Sequence, residues 1–262
     1  ARAAFISVRR GYHYLPKFTR GRPIDSAGVR LQRWRFPLWL RRLIGIYYSG
    51  LILGPPQQFG LPKPDHKLFE AHPIINSQLF YHLGHGRLQA KPDVKRLDAN
   101  EVVFADDSRE AIDLIVCATG YDLRFPFLDQ QWLAWRDGMP RLHLHAIHPG
   151  RDDLFVVGMI QPNGGIWPLA ELQAKLIAQA IAQDRQGKSG VEWLRQQATR
   201  IDSRLDGGIQ FIASPRHRLE VDYYTFRKHL GELLTRSKRR SKSDRRAATT
   251  ASKRSASLMS KR

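Results

Sequence analysis

The chain of 262 residues has one cysteine, Cys117, so no disulfide can close within it, and because the thiol lies inside an apolar run it is expected to be buried and inert. No uninterrupted apolar stretch approaches the ~20 residues that a membrane-spanning helix needs. The most apolar region, 30–53, is broken by Arg41 and Arg42. No Gly-x-Gly-x-x-Gly occurs, so the sequence holds no turn of the kind that seats a pyrophosphate on a helix N-terminus. His143, His145 and His148 could direct two imidazoles from one strand face, but no cysteine or carboxylate follows at ligand spacing, and no metal site is expected. His66, His72, His82 and His85 flank prolines and glycines in loops, and none pairs with a serine or cysteine in a triad pattern. Acids are scarce, with 24 Asp and Glu against 43 Lys and Arg. No internal repeat is visible.

A hydrophobic content of 42% with 10% aromatics is enough for a core, whether in one large domain or two modest ones. Strand-like runs at Phe5–Val8, Val102–Phe104, Asp113–Cys117 and Leu154–Gly158 alternate with helical ones at Leu169–Ile181, Val191–Ile201 and Tyr223–Leu234. That alternation places the chain in the α/β class.

The run Asp113-Leu114-Ile115-Val116-Cys117 stops on Ala118-Thr119-Gly120-Tyr121. It reads as a strand covered on both faces that delivers a turn to a ligand, Gly120 letting main chain approach where a Cβ would not. Further on, Leu154–Gly158 reads as a buried strand, Gln161 to Gly165 as a loop, and Trp167 to about Gln183 as a helix with Pro168 in its first turn. Leu169, Leu172, Leu176, Ile177, Ala180 and Ile181 recur near helical spacing and form its core stripe. The unpaired N–H groups at this helix's start would face whatever ligand the glycines, Gly164 among them, admit.

Taken in order, these segments resemble the C-terminal part of a flavin-containing monooxygenase. Ala118-Thr119-Gly120-Tyr121 followed by Phe125-Pro126-Phe127-Leu128 is similar to the segment where that family's chain passes from its NADPH-binding domain back into its FAD-binding domain. Ser7-Val8-Arg9-Arg10-Gly11 is similar to the end of the family's second nucleotide-binding strand. His72-Pro73-Ile74-Ile75-Asn76-Ser77 and Lys91-Pro92-Asp93-Val94-Lys95 match its middle region, and 158–173 its flavin-side loop and helix. The resemblance extends from near residue 1 to about Leu234 and is faint over Arg216 to Tyr223.

The resemblance implies a partial flavoprotein fold with two dinucleotide-binding (Rossmann-like) domains, here lacking the N-terminal FAD-binding βαβ, whose Gly-rich turns would lie before residue 1. Residues 1–117 would be the remainder of the NADPH-binding domain with an inserted helical and loop segment, and 118–235 the C-terminal part of the FAD-binding domain. It also implies FAD and NADP as cofactors. NADPH would reduce the flavin, and one atom of dioxygen would pass to a small soft nucleophile such as an amine or sulfide. A Baeyer–Villiger-type ketone monooxygenase, and a truncated inactive product acting only as a binding or scaffold protein, are the alternatives. The resemblance puts the family's oxygen-activating asparagine in the missing part, so no residue is assigned a catalytic role here.

Within this frame Ser7, Arg9 and Arg10 offer the hydroxyl and cations that a 2′-phosphate wants, favouring NADP over NAD; on their own, two adjacent arginines in so basic a chain read as solvated surface. Thr119 and Gly120 form the ligand-facing turn. Gln161 and Asn163 could give amide hydrogen bonds to the flavin's pyrimidine edge, with a turn-stabilising role for Asn163 equally open.

The net charge of +19 is uneven. Residues 236–262 hold eleven Lys or Arg against Asp244 alone, more than half of the imbalance, in a Ser-, Ala- and Thr-rich context expected to be disordered. No aromatic interleaves these cations, so no base-stacking module or specific nucleic-acid partner is implied. Between Arg30 and Leu53, Trp34, Phe36, Trp39, Leu43, Ile46 and Tyr47 mix with Arg30, Arg33, Arg35, Arg41 and Arg42. An interfacial helix would do so, and a substrate lid or a domain-packing helix is the other reading. The expected location is cytoplasmic, with peripheral membrane contact left open.

Overall fold

The computed structural model describes residues 2–24, 26, 28, 31, 36–202, 205–214 and 217–259, with 244–259 as backbone only. Arg30, Arg33, Trp34, Arg35 and Arg216, named above, lie outside the described residues. By its internal contacts the chain divides into two units, 1–121 with 210–217 and 122–209 with 218–262.

The first unit is built from short strands. β1 (Phe5–Ser7) runs parallel to β6 (Gln89–Lys91), and β2 (Tyr14–Leu15) parallel to β5 (Ile74–Ile75). Between β3 (Phe18–Thr19) and β4 (Arg22–Pro23) the chain turns at Arg20 and Gly21, both with positive φ, the two-residue turn whose twist matches antiparallel strands. Helix α1 (Leu38–Leu53) starts after Pro37 and stops at Gly54, whose φ of 75° no side chain adopts cheaply. Asn76 Oδ1 accepts from the backbone N–H groups of Gln78 and Leu79 and so starts α2 (Gln78–Gly84). β7 (Val94–Asp98), β8 (Glu101–Phe104) and β9 (Arg109–Ala111) form an antiparallel meander. The core gathers Tyr14, Leu53, Leu61, Leu79 and Phe80, with Phe80 meeting both Tyr14 and Phe59 edge-on.

One expected strand is not formed. Asp113–Cys117 joins no ladder among the described residues, and Leu114 and Val116 are each 78% exposed. Its composition suits a strand covered on both faces, but a strand exists only through neighbours that take its N–H and C=O groups. After Ile112, whose N–H bonds Asn100, none is present among the described residues. Cys117 is therefore exposed rather than buried.

The second unit is helical. Strands β10 (Trp135–Arg136) and β11 (Met139–Pro140) form a hairpin around Asp137-Gly138, both at positive φ. β12 (Gln161–Pro162), inside the expected loop, pairs in parallel with β13 (Glu220–Val221). Leu154–Gly158, read as a buried strand, makes only a single bridge from Phe155 to Ile147, and Val157 is 46% exposed. Helix α3 (Trp167–Asp184) packs against α4 (Gly190–Thr199) and α5 (Tyr223–Met259) around Leu169, Leu176, Val191, Leu194, Phe226 and Leu230. Within the expected stripe of α3, Leu172 and Ile181 are only partly buried, and Gln173 and Gln183 take the remaining inner positions.

These two glutamines are satisfied rather than stranded. Gln173 donates to Leu144 O and accepts from Gly158 N, while Gln183 donates to both the carbonyl and the hydroxyl of Ser237. Asp184 caps α4 by accepting from Gly190 and Val191 N. The close α3–α4 turn needs Gly190, whose added Cβ would lie 2.3 Å from Ala180 O.

The basic segment after Leu234 differs most from expectation. Instead of disorder, α5 continues as helix through Met259, and its first added turns are docked. Ser237 is buried against α3, and Arg240 donates to Lys188 O with its guanidinium 5.7 Å from the Trp193 ring centroid. Nothing after Gly231 breaks a helix, since the segment has neither Pro nor Gly. Charge density suggested disorder, whereas tertiary partners at 237 and 240 anchor the start of the segment.

Candidate functional site

The residues singled out from the sequence fall into two separate groups, one in each unit. In the first, β1 carries Ser7, Arg9 and Arg10 out of a parallel strand pair, the end of such strands where α/β folds bind ligands. Their surroundings separate them. The Ser7 hydroxyl donates to Pro92 O at 2.6 Å, which uses its proton. Arg10 Nη2 donates to both carboxylate oxygens of Asp65, at 2.8 and 2.9 Å, and His66 Nδ1 lies 2.8 Å from the same carboxylate. The hydrogen bonds from His66 and Arg10 hold the Asp65 carboxyl down at about 2. Arg9 is exposed and has no partner among the described residues.

Behind this cluster His13 Nε2 is 2.7 Å from His66 O, and burial pushes the His13 imidazole below its ordinary value. The tight crossing beneath it depends on Gly11, where a Cβ would lie 2.1 Å from Lys63 O. Thr119 and Gly120 belong to the same unit and are exposed. Gly120 has a φ of 100° and nothing within 4 Å of a built Cβ, so its backbone conformation rather than crowding requires glycine.

In the second unit Gln161 opens β12, and Asn163 and Gly164 follow that strand toward α3. Asn163 is engaged at both ends of its amide. Its amide donates to Asp222 Oδ1 at 3.1 Å, and its Oδ1 accepts from Tyr223 N at 2.9 Å. Asp222 accepts from the Thr225 N–H and hydroxyl, so together they cap α5. Of the two roles open to Asn163, the stabilising one is realised. Gly164 is pressed on Tyr223, where a Cβ would come within 2.9 Å of the ring. The Gln161 side chain has no partner among the described residues, and no side chain caps α3, which begins at an exposed Trp167.

The three histidines have separate surroundings, His148 Nδ1 accepting from Gly150 N. His143 Nδ1 lies 2.5 Å from Asp202, which also accepts from Leu144 N, and burial pushes His145 and His148 below the ordinary imidazole value. Among the described residues no group of three His, Cys, Asp or Glu is arranged to hold a metal. Sequence reasoning missed the Asp65 clamp on Arg10 and the Asp222–Asn163 cap. The partners are 55 and 59 residues apart, and no local pattern links them.

A family model described as "Flavin-binding monooxygenase-like" matches residues 56–237, and the chain belongs to that family. Among its relatives, flavin-containing monooxygenase 5 of Cavia porcellus is 28% identical over 245 residues, and that of Homo sapiens 29% over 241. Each alignment covers 89% of this chain and 44% of the relative, so the chain spans less than half the length of either. Flavin-containing monooxygenase 1 of Rattus norvegicus is 34% identical over 121 residues, 45% of this chain and 23% of its own.

Proposed function

We propose that this chain supplies part of the cofactor-binding apparatus of a monooxygenase that uses FAD, NADPH and dioxygen to oxygenate a soft nucleophile such as an amine or sulfide. The observation that carries the reading is the family match over residues 56–237. FAD, when bound, supplies the redox and oxygen chemistry; the residues of this chain bind and position. Arg9 fits the 2′-phosphate of NADP, being an exposed cation free of internal partners at the end of β1, whereas Ser7 and Arg10 are committed to Pro92 and Asp65. Thr119–Gly120 offers an open backbone turn, and Gln161 the one free amide of its loop. Asn163 is held at both ends of its amide by the start of α5, which leaves one N–H and one lone pair to offer a flavin.

Peripheral membrane contact belongs to the same proposal. Among the described residues no helix is long and apolar enough to cross a membrane. Yet α1 leaves Trp39, Leu43, Ile46, Tyr47 and Leu51 exposed at helical spacing, with Trp39 at 66%, which suits a helix lying in an interface.

The test is co-expression with a polypeptide carrying the family's two Gly-rich turns. The expected product is a yellow complex that oxidises NADPH in preference to NADH and consumes dioxygen with a sulfide, while the chain alone stays colourless in added FAD. A colourless co-expressed complex, or one indifferent to the choice of nucleotide, overturns the proposal. Turnover of a ketone but no sulfide selects the Baeyer–Villiger alternative instead.

A further inference from the structure

Helix α5 has two faces of opposite character. Phe226, Leu230, Leu233 and Ser237 are buried on one side. Facing away from them, Arg227 and Lys228 recur as Lys238 and Arg239 eleven residues later, three turns along the same line, and Lys242 follows one turn on. All five are exposed, and none has an ion-pair partner among the described residues. From Tyr223 to Ser243 the helix carries one acid, Glu232. Its backbone then runs on to Met259 past Asp244, Arg245, Arg246, Lys253 and Arg254, so the whole helix from Tyr223 is a rod of about 55 Å at 1.5 Å per residue.

Unpaired cations in a line repel one another, and a counter-surface of negative charge relieves that repulsion. We infer that the outward face of α5 docks on anionic lipid headgroups at a membrane surface. Clusters of four to eight Lys or Arg on a helix match that surface, each worth several-fold in binding. Two observations favour lipid over nucleic acid. No Phe, Tyr, Trp, Asn or Gln lies among the five exposed cations or in the basic segment after Leu234 to stack on or read a base, His229 being the one ring between them and only partly exposed, and the same chain exposes an apolar helix face on α1 that a phosphate backbone would leave unused. The inference rests on the proposed membrane contact and specifies its lipid. A basic patch binds a membrane weakly alone, and any second attachment adds to it.

The experiment measures sedimentation of the full chain with phosphatidylcholine vesicles, with and without phosphatidylserine, and reads the ratio of the two affinities. The wild-type ratio is expected to exceed tenfold and to fall as salt rises. In a Lys238→Gln, Arg239→Gln, Lys242→Gln variant, with its helix content checked by circular dichroism, the ratio falls toward one. A wild-type ratio of one, an unchanged ratio in the variant, or displacement from the vesicles by an equal charge of duplex DNA overturns the inference. A Trp39→Ser, Leu43→Ser variant addresses the α1 contact separately: it lowers affinity for both kinds of vesicle and leaves the ratio intact. Failure of that variant to do so counts against α1 while the ratio still decides α5.

Discussion

Adjacent arginines acquire different roles here through a single partner. Arg10 is neutralised by Asp65, and Arg9 is left to face solvent. In the co-expressed enzyme Arg9→Ala should therefore lower kcat/KM for NADPH by about ten- to a hundredfold, the worth of one charge-assisted hydrogen bond, and barely change that for NADH. Arg10→Ala should discriminate less between the nucleotides, and equal loss of both with Arg9→Ala would refute the assignment. Asp65 offers a second check through pH. Its carboxyl is lowered from 3.8 to about 2 by His66 and Arg10, so it contributes stability that is complete above 3.8 and lost as the pH falls through about 2. The stability difference between wild type and Asp65→Asn should shrink across that window and stay constant above it. The difference is small because the side chain is half exposed.

At the level of elements, α3 is secured by polar groups as well as by its apolar stripe. Gln173 and Gln183 sit where the periodicity allows an apolar residue; Gln173 answers the Leu144 carbonyl and the Gly158 N–H, and Gln183 ties α3 to the Ser237 hydroxyl and carbonyl of α5. The α3–α4 turn shows the same dependence on close approach. Gly190→Ala would push a methyl onto Ala180 O and should cost roughly 2–3 kcal/mol in urea denaturation. Gly150→Ala has open space and no positive φ, so it should fall within about 0.5 kcal/mol of wild type. Comparable costs for the two would show that the turn relaxes freely.

For the whole molecule, the segment 113–117 is the most consequential departure. Its Leu, Ile and Val residues predict a covered strand, and the chain leaves them in solvent. The structure therefore predicts that the native protein reacts at Cys117 with one equivalent of a soluble thiol reagent, at a rate close to that in denaturant. Strong protection in the native protein would mean that the segment is covered in solution.

Much that depends on local order was legible in the sequence: α3 and α4 from their helical runs, β1 and β8 from short branched runs, and family membership from segments in a fixed order. The concentration of charge after Leu234 was legible too, though not its helical form. Tertiary structure alone decided which cation stays free, which amide is used by a cap, and whether an apolar strand finds a neighbour. Those outcomes depend on groups that folding brings together across 55 to 60 residues, and local periodicity records a segment's own preference without recording who meets it.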